Sequence, residues 1–191
     1  MMAQKPKTLN FIEAAAAPIV TVTDWQMLFD YAHVTAGQTV LIHGAAGNVG
    51  AYAVIHVIAT AAYTDLEYVR GLGADRVVDY KSGRFGEWVN GMDVVLDTVG
   101  GDIQRRSLGV LKPDGILVSV VSAVPEASQR RYGVRAAYFY VDVTTARLNQ
   151  ITSCLTVENW LRMSARWSHW KRLALPTKCL AARHISAARS C

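Results

Sequence analysis

Residues 39–50 read TVLIHGAAGNVG, and the reading of this stretch decides the fold. Residues 39–43 are a short β-branched and aliphatic run of the kind buried in a parallel sheet. Gly44, Gly47 and Gly50 then make a glycine-rich turn, and Val49, Ala51, Ala53 and Val54 open a helix. A strand, a tight turn and a helix N-terminus together present backbone N–H groups and a positive dipole end to a pyrophosphate. Gly47 lets the backbone approach the phosphates, and Gly50 lets the helix pack closely on the strand. Ala45 stands where G-x-G-x-x-G has its first glycine, so the strict motif is incomplete. An ordinary glycine-rich βα turn is the plain alternative.

Composition narrows the class. The chain has 191 residues and 51% hydrophobic side chains, enough for a folded domain with its own core. No apolar run approaches the roughly 18 residues of a membrane span. The first ten residues, MMAQKPKTLN, carry lysines but no apolar stretch behind them, so no signal peptide is expected. The net charge of +5 raises the question of a nucleic-acid partner. Residues 1–151 hold 13 Lys and Arg against 14 Asp and Glu, whereas residues 152–191 hold seven against one, Glu158. The basic excess is therefore confined to the tail, and no specific nucleic-acid surface is expected on the main body. All three cysteines (Cys154, Cys179, Cys191) lie in that tail, which fits a cytoplasmic protein without disulfides. Those cysteines with His169 and His184 lack the spacing of a structural zinc site, so no metal is expected.

Along the chain, residues 10–17 read as a short alanine-rich helix, and Thr23 to Gln26 fits a capping box opening a second one. Trp25, Leu28, Phe29 and Ala32 would share its buried face. Strands are expected at 39–43, 56–61, 76–79, 93–97, 116–121 and 136–141. Helices are expected after Gly50, after a second capping box at Thr64, around 82–90, at 102–111 with a stop at Pro113-Asp114-Gly115, and from 144. Strands alternating with helices imply an α/β fold, a Rossmann-type doubly wound parallel sheet. Residues 1–36 read as a helical lead-in, 37–151 as the NAD(P)-binding domain and 152–191 as a separate tail.

The stretches AGQTVLIHGAAGNVGAYA, RGLGADRVVDY, DVVLDTVGG, LKPDGILVSVVS and VDVTTARL resemble the medium-chain dehydrogenase/reductase superfamily, in its zinc-independent, quinone-oxidoreductase-like branch. The resemblance covers about residues 10–151. It implies a cofactor domain binding NADPH or NADH, hydride transfer to a small-molecule quinone, enone or carbonyl, and a sixth strand that often pairs across a homodimer. It also implies a catalytic domain that this stretch does not match, so no catalytic residue is named. A non-catalytic nucleotide-binding remnant is the alternative expectation.

Two departures from the family are visible. Only five residues lie between Gly50 and His56, where a βαβ connection normally needs at least about 10–12. Five helical residues rise about 7–8 Å, whereas a five-residue strand spans about 17 Å. The chain reads as internally deleted between Ile55 and His56, with a tolerated short helix as the alternative. The tail departs altogether. Permitted codons from Ser153 onward, read from the third base of each, spell LFDSGKLVTHVGAVVPLEEARLAHEML, which resembles the family's ordinary C-terminus. Residues from about Ser153 therefore read as a frameshifted product.

The candidate pyrophosphate contacts are Ala46, Gly47, Asn48, Val49 and Gly50. The second strand ends Ala61-Ala62-Tyr63-Thr64, placing Tyr63 where the adenosine ribose is read. It lacks the acid that accepts from an NAD 2′-hydroxyl. That absence favours NADP, and NAD stays open because no Lys or Arg is adjacent. Thr98, Val99 and Gly100 after strand four, and Ser119 in strand five, would line the crevice at the carboxyl ends of the strands. The resemblance places the nicotinamide ribose there, with Phe139 nearby. Core packing accounts equally well for Ser119 and Phe139. His43 and His56 read as core histidines.

Overall fold

Short runs of β-branched and aliphatic residues that must hide both faces form the centre of the molecule. In the computed structural model, which describes residues 2–7, 11–53, 57–81 and 85–155, six strands make one parallel sheet. They are β1 (Val40–His43), β2 (Ile58–Ala61), β3 (Arg76–Asp79), β4 (Met92–Asp97), β5 (Leu111–Ser119) and β6 (Arg135–Tyr138). Their order is β3-β2-β1-β4-β5-β6. This is the doubly wound order, and the chain reverses direction across the sheet between β1 and β4. The register sets Thr60, His43, Asp97, Ser119 and Tyr138 in one row at the carboxyl ends of five strands.

Two apolar layers cover the sheet. One gathers Ile42, Leu96 and Val118 with Met27, Ala53, Val69 and Phe139. The other gathers Leu41, Val95 and Leu117 with Phe85, Leu108 and Val134. Alternate residues of each strand thus serve opposite faces, as the strand pleat dictates.

The N-terminal region corrects one expectation. A single helix, α1 (Phe11–Trp25), runs through Pro18 and passes directly into a π-helical stretch, Gln26–Tyr31. The capping box at Thr23 does not form. Instead the Thr23 hydroxyl donates to the Ile19 carbonyl at 2.6 Å, and Thr21 donates to Ala17 at 2.9 Å. A buried threonine can satisfy its hydroxyl on the helix carbonyl four residues back, so the same residue type that caps a helix also fits inside one. The wider π geometry then rephases the buried face. Met27, Leu28 and Ala32 reach the sheet, while Trp25 packs with Val22 and Ile151 towards α6 (Thr145–Leu155).

The connections differ from expectation elsewhere too. The helix after β1, α2, is seen over Gly50–Ala53, and residues 54–56 after it lie outside the described residues. β2 begins at Ile58, and the expected strand start at His56 lies outside the described residues. The capping box at Thr64 is absent, because a 3₁₀ turn, Tyr63–Asp65, leads into α3 (Leu66–Leu72). The helix after β4, α4 (Gly101–Ser107), ends well before Pro113 and is followed by a 3₁₀ turn, Leu108–Val110. Pro113 and Asp114 lie instead in an irregular start to β5, where the pairing with β4 slips and Asp114 takes φ +61°. The helix α5 (Glu126–Tyr132) is an addition to those expected. It buries no residue and so shows no apolar stripe. Of the helical turn expected over 82–90, residues 82–84 lie outside the described residues and Phe85–Glu87 forms a 3₁₀ turn; the tail from 156 also lies outside them.

Candidate active site

The glycine turn sits at the carboxyl end of β1, where the sheet order reverses. Gly44 takes φ +72°, and a Cβ there would lie 2.5 Å from Thr98 Oγ1. That hydroxyl donates to the His43 carbonyl at 2.8 Å, so the ends of β1 and β4 are tied together at the reversal. The Ala45 N–H donates to the Thr60 carbonyl at 3.2 Å, and the Gly47 N–H donates to the Gly44 carbonyl at 2.8 Å. A Cβ on Gly50 would meet the Gly44 carbonyl oxygen at 2.4 Å and Ala45 Cα at 2.8 Å. The first residue of α2 therefore rests directly on the start of the turn. Gly47 and Asn48 form the exposed crest, Ala46 and Val49 are half-buried, and Gly50 is buried.

Beside this turn lie the loops after β4 and β5. Val99 is exposed, and Gly100 takes φ +77° with its Cα against Val121, which a Cβ would strike at 2.7 Å. Beneath both loops, Asp97 is fully buried. Its Oδ1 accepts from the backbone N–H groups of Val99 (3.0 Å) and Gly100 (2.8 Å). Its Oδ2 accepts from Gln104 Nε2 (3.0 Å) and the Ser119 hydroxyl (2.8 Å). Ser119 is itself fully buried, and its oxygen accepts from the Val121 N–H at 3.1 Å and the Ser122 N–H at 3.3 Å. With one donor and two acceptor positions, that hydroxyl is saturated inside the protein.

The structure brings the crest residues, Thr98 to Gly100 and Ser119 to one rim. Tyr63 stands apart, 77% exposed in the turn after β2, one strand over from the glycine turn. Phe139 is buried, and its ring stacks on Tyr31 with centroids 4.4 Å apart. His43 is fully buried between Thr60 and Ser107, and burial pushes its imidazole down to about 4. A group that stays neutral at physiological pH and touches no solvent is a structural histidine.

Comparison with known proteins bears on this arrangement. A family profile described as "Zinc-binding dehydrogenase" matches residues 72–161. The synaptic vesicle membrane protein VAT-1 homolog of Danio rerio is 34% identical over 139 residues, covering 66% of this chain and 29% of that protein. The human mitochondrial NAD(P)H oxidoreductase RTN4IP1 is 36% identical over 125 residues, covering 58% of this chain and 32% of that protein. The quinone oxidoreductase of Coxiella burnetii superposes with a TM-score of 0.73 at 25% identity, covering 98% of this chain and 61% of that one. The chain belongs to the medium-chain dehydrogenase/reductase superfamily. It spans about a third of the length of those two sequence relatives.

Within this superfamily member, residue-by-residue reading missed the groups that hold the rim together. In the sequence, Asp97, Gln104, Ser107 and Thr60 each look like ordinary polar punctuation. One signal was present. Asp97 closes the apolar strand DVVLD immediately before Thr-Val-Gly-Gly, and a buried acid facing a glycine turn needs several donors. Among the described residues, no three His, Cys, Asp or Glu side chains converge as metal ligands. No described helix is long and apolar enough to cross a membrane.

Proposed function

We propose that this domain binds a nicotinamide dinucleotide for an oxidoreductase of the zinc-independent type. The observation that carries the reading is the glycine turn at the carboxyl end of β1, set where the parallel sheet reverses its order. Ligands of doubly wound sheets bind at such switch points. The small side chains and close packing of the turn support a pyrophosphate there. The crest at Gly47 carries no side chain, and a Cβ there would crowd the Gly44 carbonyl at 3.1 Å. Ala46, Gly47, Asn48, Val49 and Gly50 would hold the pyrophosphate. Tyr63 would border the adenosine, and Thr98, Val99 and Gly100 the nicotinamide ribose. Ser119 and Phe139 would support that half from within the core.

NADP is favoured over NAD because no carboxylate follows β2 directly. Asp65, the first acid after it, ends the 3₁₀ turn and begins α3. The bound nicotinamide would supply the hydride, with a quinone, enone or carbonyl as acceptor. The likeness to the quinone oxidoreductase of Coxiella burnetii supports a quinone. We place the protein in the cytoplasm and its dimer contact along β6. The mitochondrial description of RTN4IP1 makes that organelle the competing location. The second reading is nucleotide binding without turnover, which the glycine turn alone would support.

Fluorescence titration with NADPH and NADH, followed by NADPH oxidation assays across a quinone panel, tests both readings. Saturable binding with NADPH tighter than NADH is expected. Steady oxidation above a heat-killed control selects the enzyme, and binding without oxidation selects the second reading. No binding of either nucleotide overturns the proposal.

A further inference from the structure

We propose that Asp97 is a positioning residue that sets the nicotinamide half of the site, leaving the adenosine half alone. The inference rests on the dinucleotide reading above and adds a division of labour within the rim.

Four donors converge on one carboxylate, from the loop after β4, from the end of β5 and from α4. The backbone of Val99 and Gly100 belongs to the loop after β4, and Ser119 ends β5. Gln104, on α4, closes the circuit. Its Nε2 donates both to Asp97 and to the Ser122 carbonyl (2.8 Å), and its Oε1 accepts from the Ser122 hydroxyl at 3.3 Å. Asp97, Gln104, Ser122 and Ser119 thus form a closed ring under the two loops. A charged acceptor with its full complement of donors makes short, strong bonds, and buried networks of this kind fix geometry when every member is satisfied. The ring holds the exposed Val99 and the Val121 beside Gly100 at one relative height.

None of the ring's hydrogen bonds goes to the crest of the glycine turn. That crest is held by its own Gly47–Gly44 bond and by the packing of Gly50. The bond from the Thr98 hydroxyl to the His43 carbonyl joins the two halves of the rim, and it lies outside the ring. Asparagine at position 97 would keep one acceptor for Val99 and Gly100. It would turn an NH₂ towards Gln104 Nε2 and the Ser119 hydroxyl, both already donors. The loop after β5 would lose its tie while the glycine turn stayed intact.

The test compares two ligands, NADPH and ADP, which carries adenosine and pyrophosphate without the nicotinamide riboside. Calorimetric titration of wild type, Asp97→Asn and Ser119→Ala gives the affinities. For Asp97→Asn the expected result is at least a tenfold loss for NADPH, with ADP within twofold of wild type. Ser119→Ala removes one link and leaves the carboxylate, so a threefold to tenfold loss confined to NADPH is expected. It serves as the readout should Asp97→Asn fail to fold. Equal losses for both ligands, or unchanged NADPH affinity, would overturn the assignment. A wild-type protein binding neither ligand would instead remove the dinucleotide reading on which it stands.

Discussion

The Nε2–H of His43 donates to the Ser107 hydroxyl oxygen across 2.8 Å, and neither residue touches solvent. The Ser107 proton is committed to the Ile103 carbonyl at 2.7 Å, so the serine can only accept from the imidazole. Nδ1 is then the acceptor for the Thr60 hydroxyl at 2.9 Å. One neutral tautomer thereby stitches β1 to β2 and to α4. Burial lowers the imidazole to about 4, Asp97 opposes the shift, and Arg106 adds to it.

This predicts an acid-sensitive contribution. The native state refuses a proton that the unfolded chain accepts near pH 6.5. Stability from His43 is therefore complete above that pH and is lost as pH falls towards about 4. The loss is about 3 kcal/mol over the window at about 1.4 kcal/mol per unit. Urea midpoints of wild type and His43→Gln between pH 7.5 and 4.5 check it. The difference between the two should shrink as the pH drops, and parallel curves would refute it.

Asp24 predicts the opposite slope. Its carboxyl is buried on α1, has no hydrogen-bond partner among the described residues, and is pushed well above the ordinary carboxylate range by burial. The unfolded chain releases this proton as pH rises above about 4, whereas the native state keeps it, so stability falls with rising pH. Asp24→Ala should be more stable than wild type at pH 7 by about 1–3 kcal/mol. The gain should be smaller at pH 4. Equal gains at both values would point to helix propensity alone.

Two glycines predict opposite signs. A Cβ on Gly50 would meet only backbone atoms, at 2.4–2.8 Å, which no rotamer change relieves. Gly50→Ala should cost about 1–3 kcal/mol and weaken NADPH binding at least about tenfold. Gly71, inside α3, has open space where its Cβ would be. Gly71→Ala should add about 0.5–1 kcal/mol. Thermal melts of both variants decide, and a stable, tightly binding Gly50→Ala would contradict the packing argument.

The short α2 predicts a gain from lengthening. Among the described residues of this crossover, Ala53 and Val57 are buried in the core and Ala51 packs against it. Inserting about eight helix-forming residues between Ile55 and His56 would add buried side chains worth about 1.5–3 kcal/mol each. A higher melting temperature and at least about tenfold tighter NADPH binding are expected, ten-fold corresponding to about 1.4 kcal/mol. Equal values would identify the short crossover as a native solution.

The tail carries a prediction at the level of the gene. Codons for residues 153–179 should all permit the alternative frame spelled out above. A single codon incompatible with that frame would end the frameshift reading.

Local chemistry alone determined the strands and the glycine turn. Six alternations of apolar run and helical segment are a pattern of period and punctuation, and neither depends on distant residues. β3 was expected at 76–79 and forms there, and the other strands differ mainly at their ends. The course of α1 was not legible in the same way. Thr23 can cap a helix or bond back along one, and only the packing of α6 and the sheet around it selects the second. α5 could have been found from Pro125 before it and Gly133 after it, at φ +63°, but not from an apolar face it does not have.

The site divides along the same line. The residues 44–50 announce their turn because glycine spacing is a local property. The roles of Asp97 and Ser119 are not local. They sit 22 positions apart and become partners only because β4 and β5 lie side by side in register. A sequence specifies which residues can donate and accept. Which donor meets which acceptor is decided by strand order and register, and the ring beneath the rim exists only once the sheet has formed.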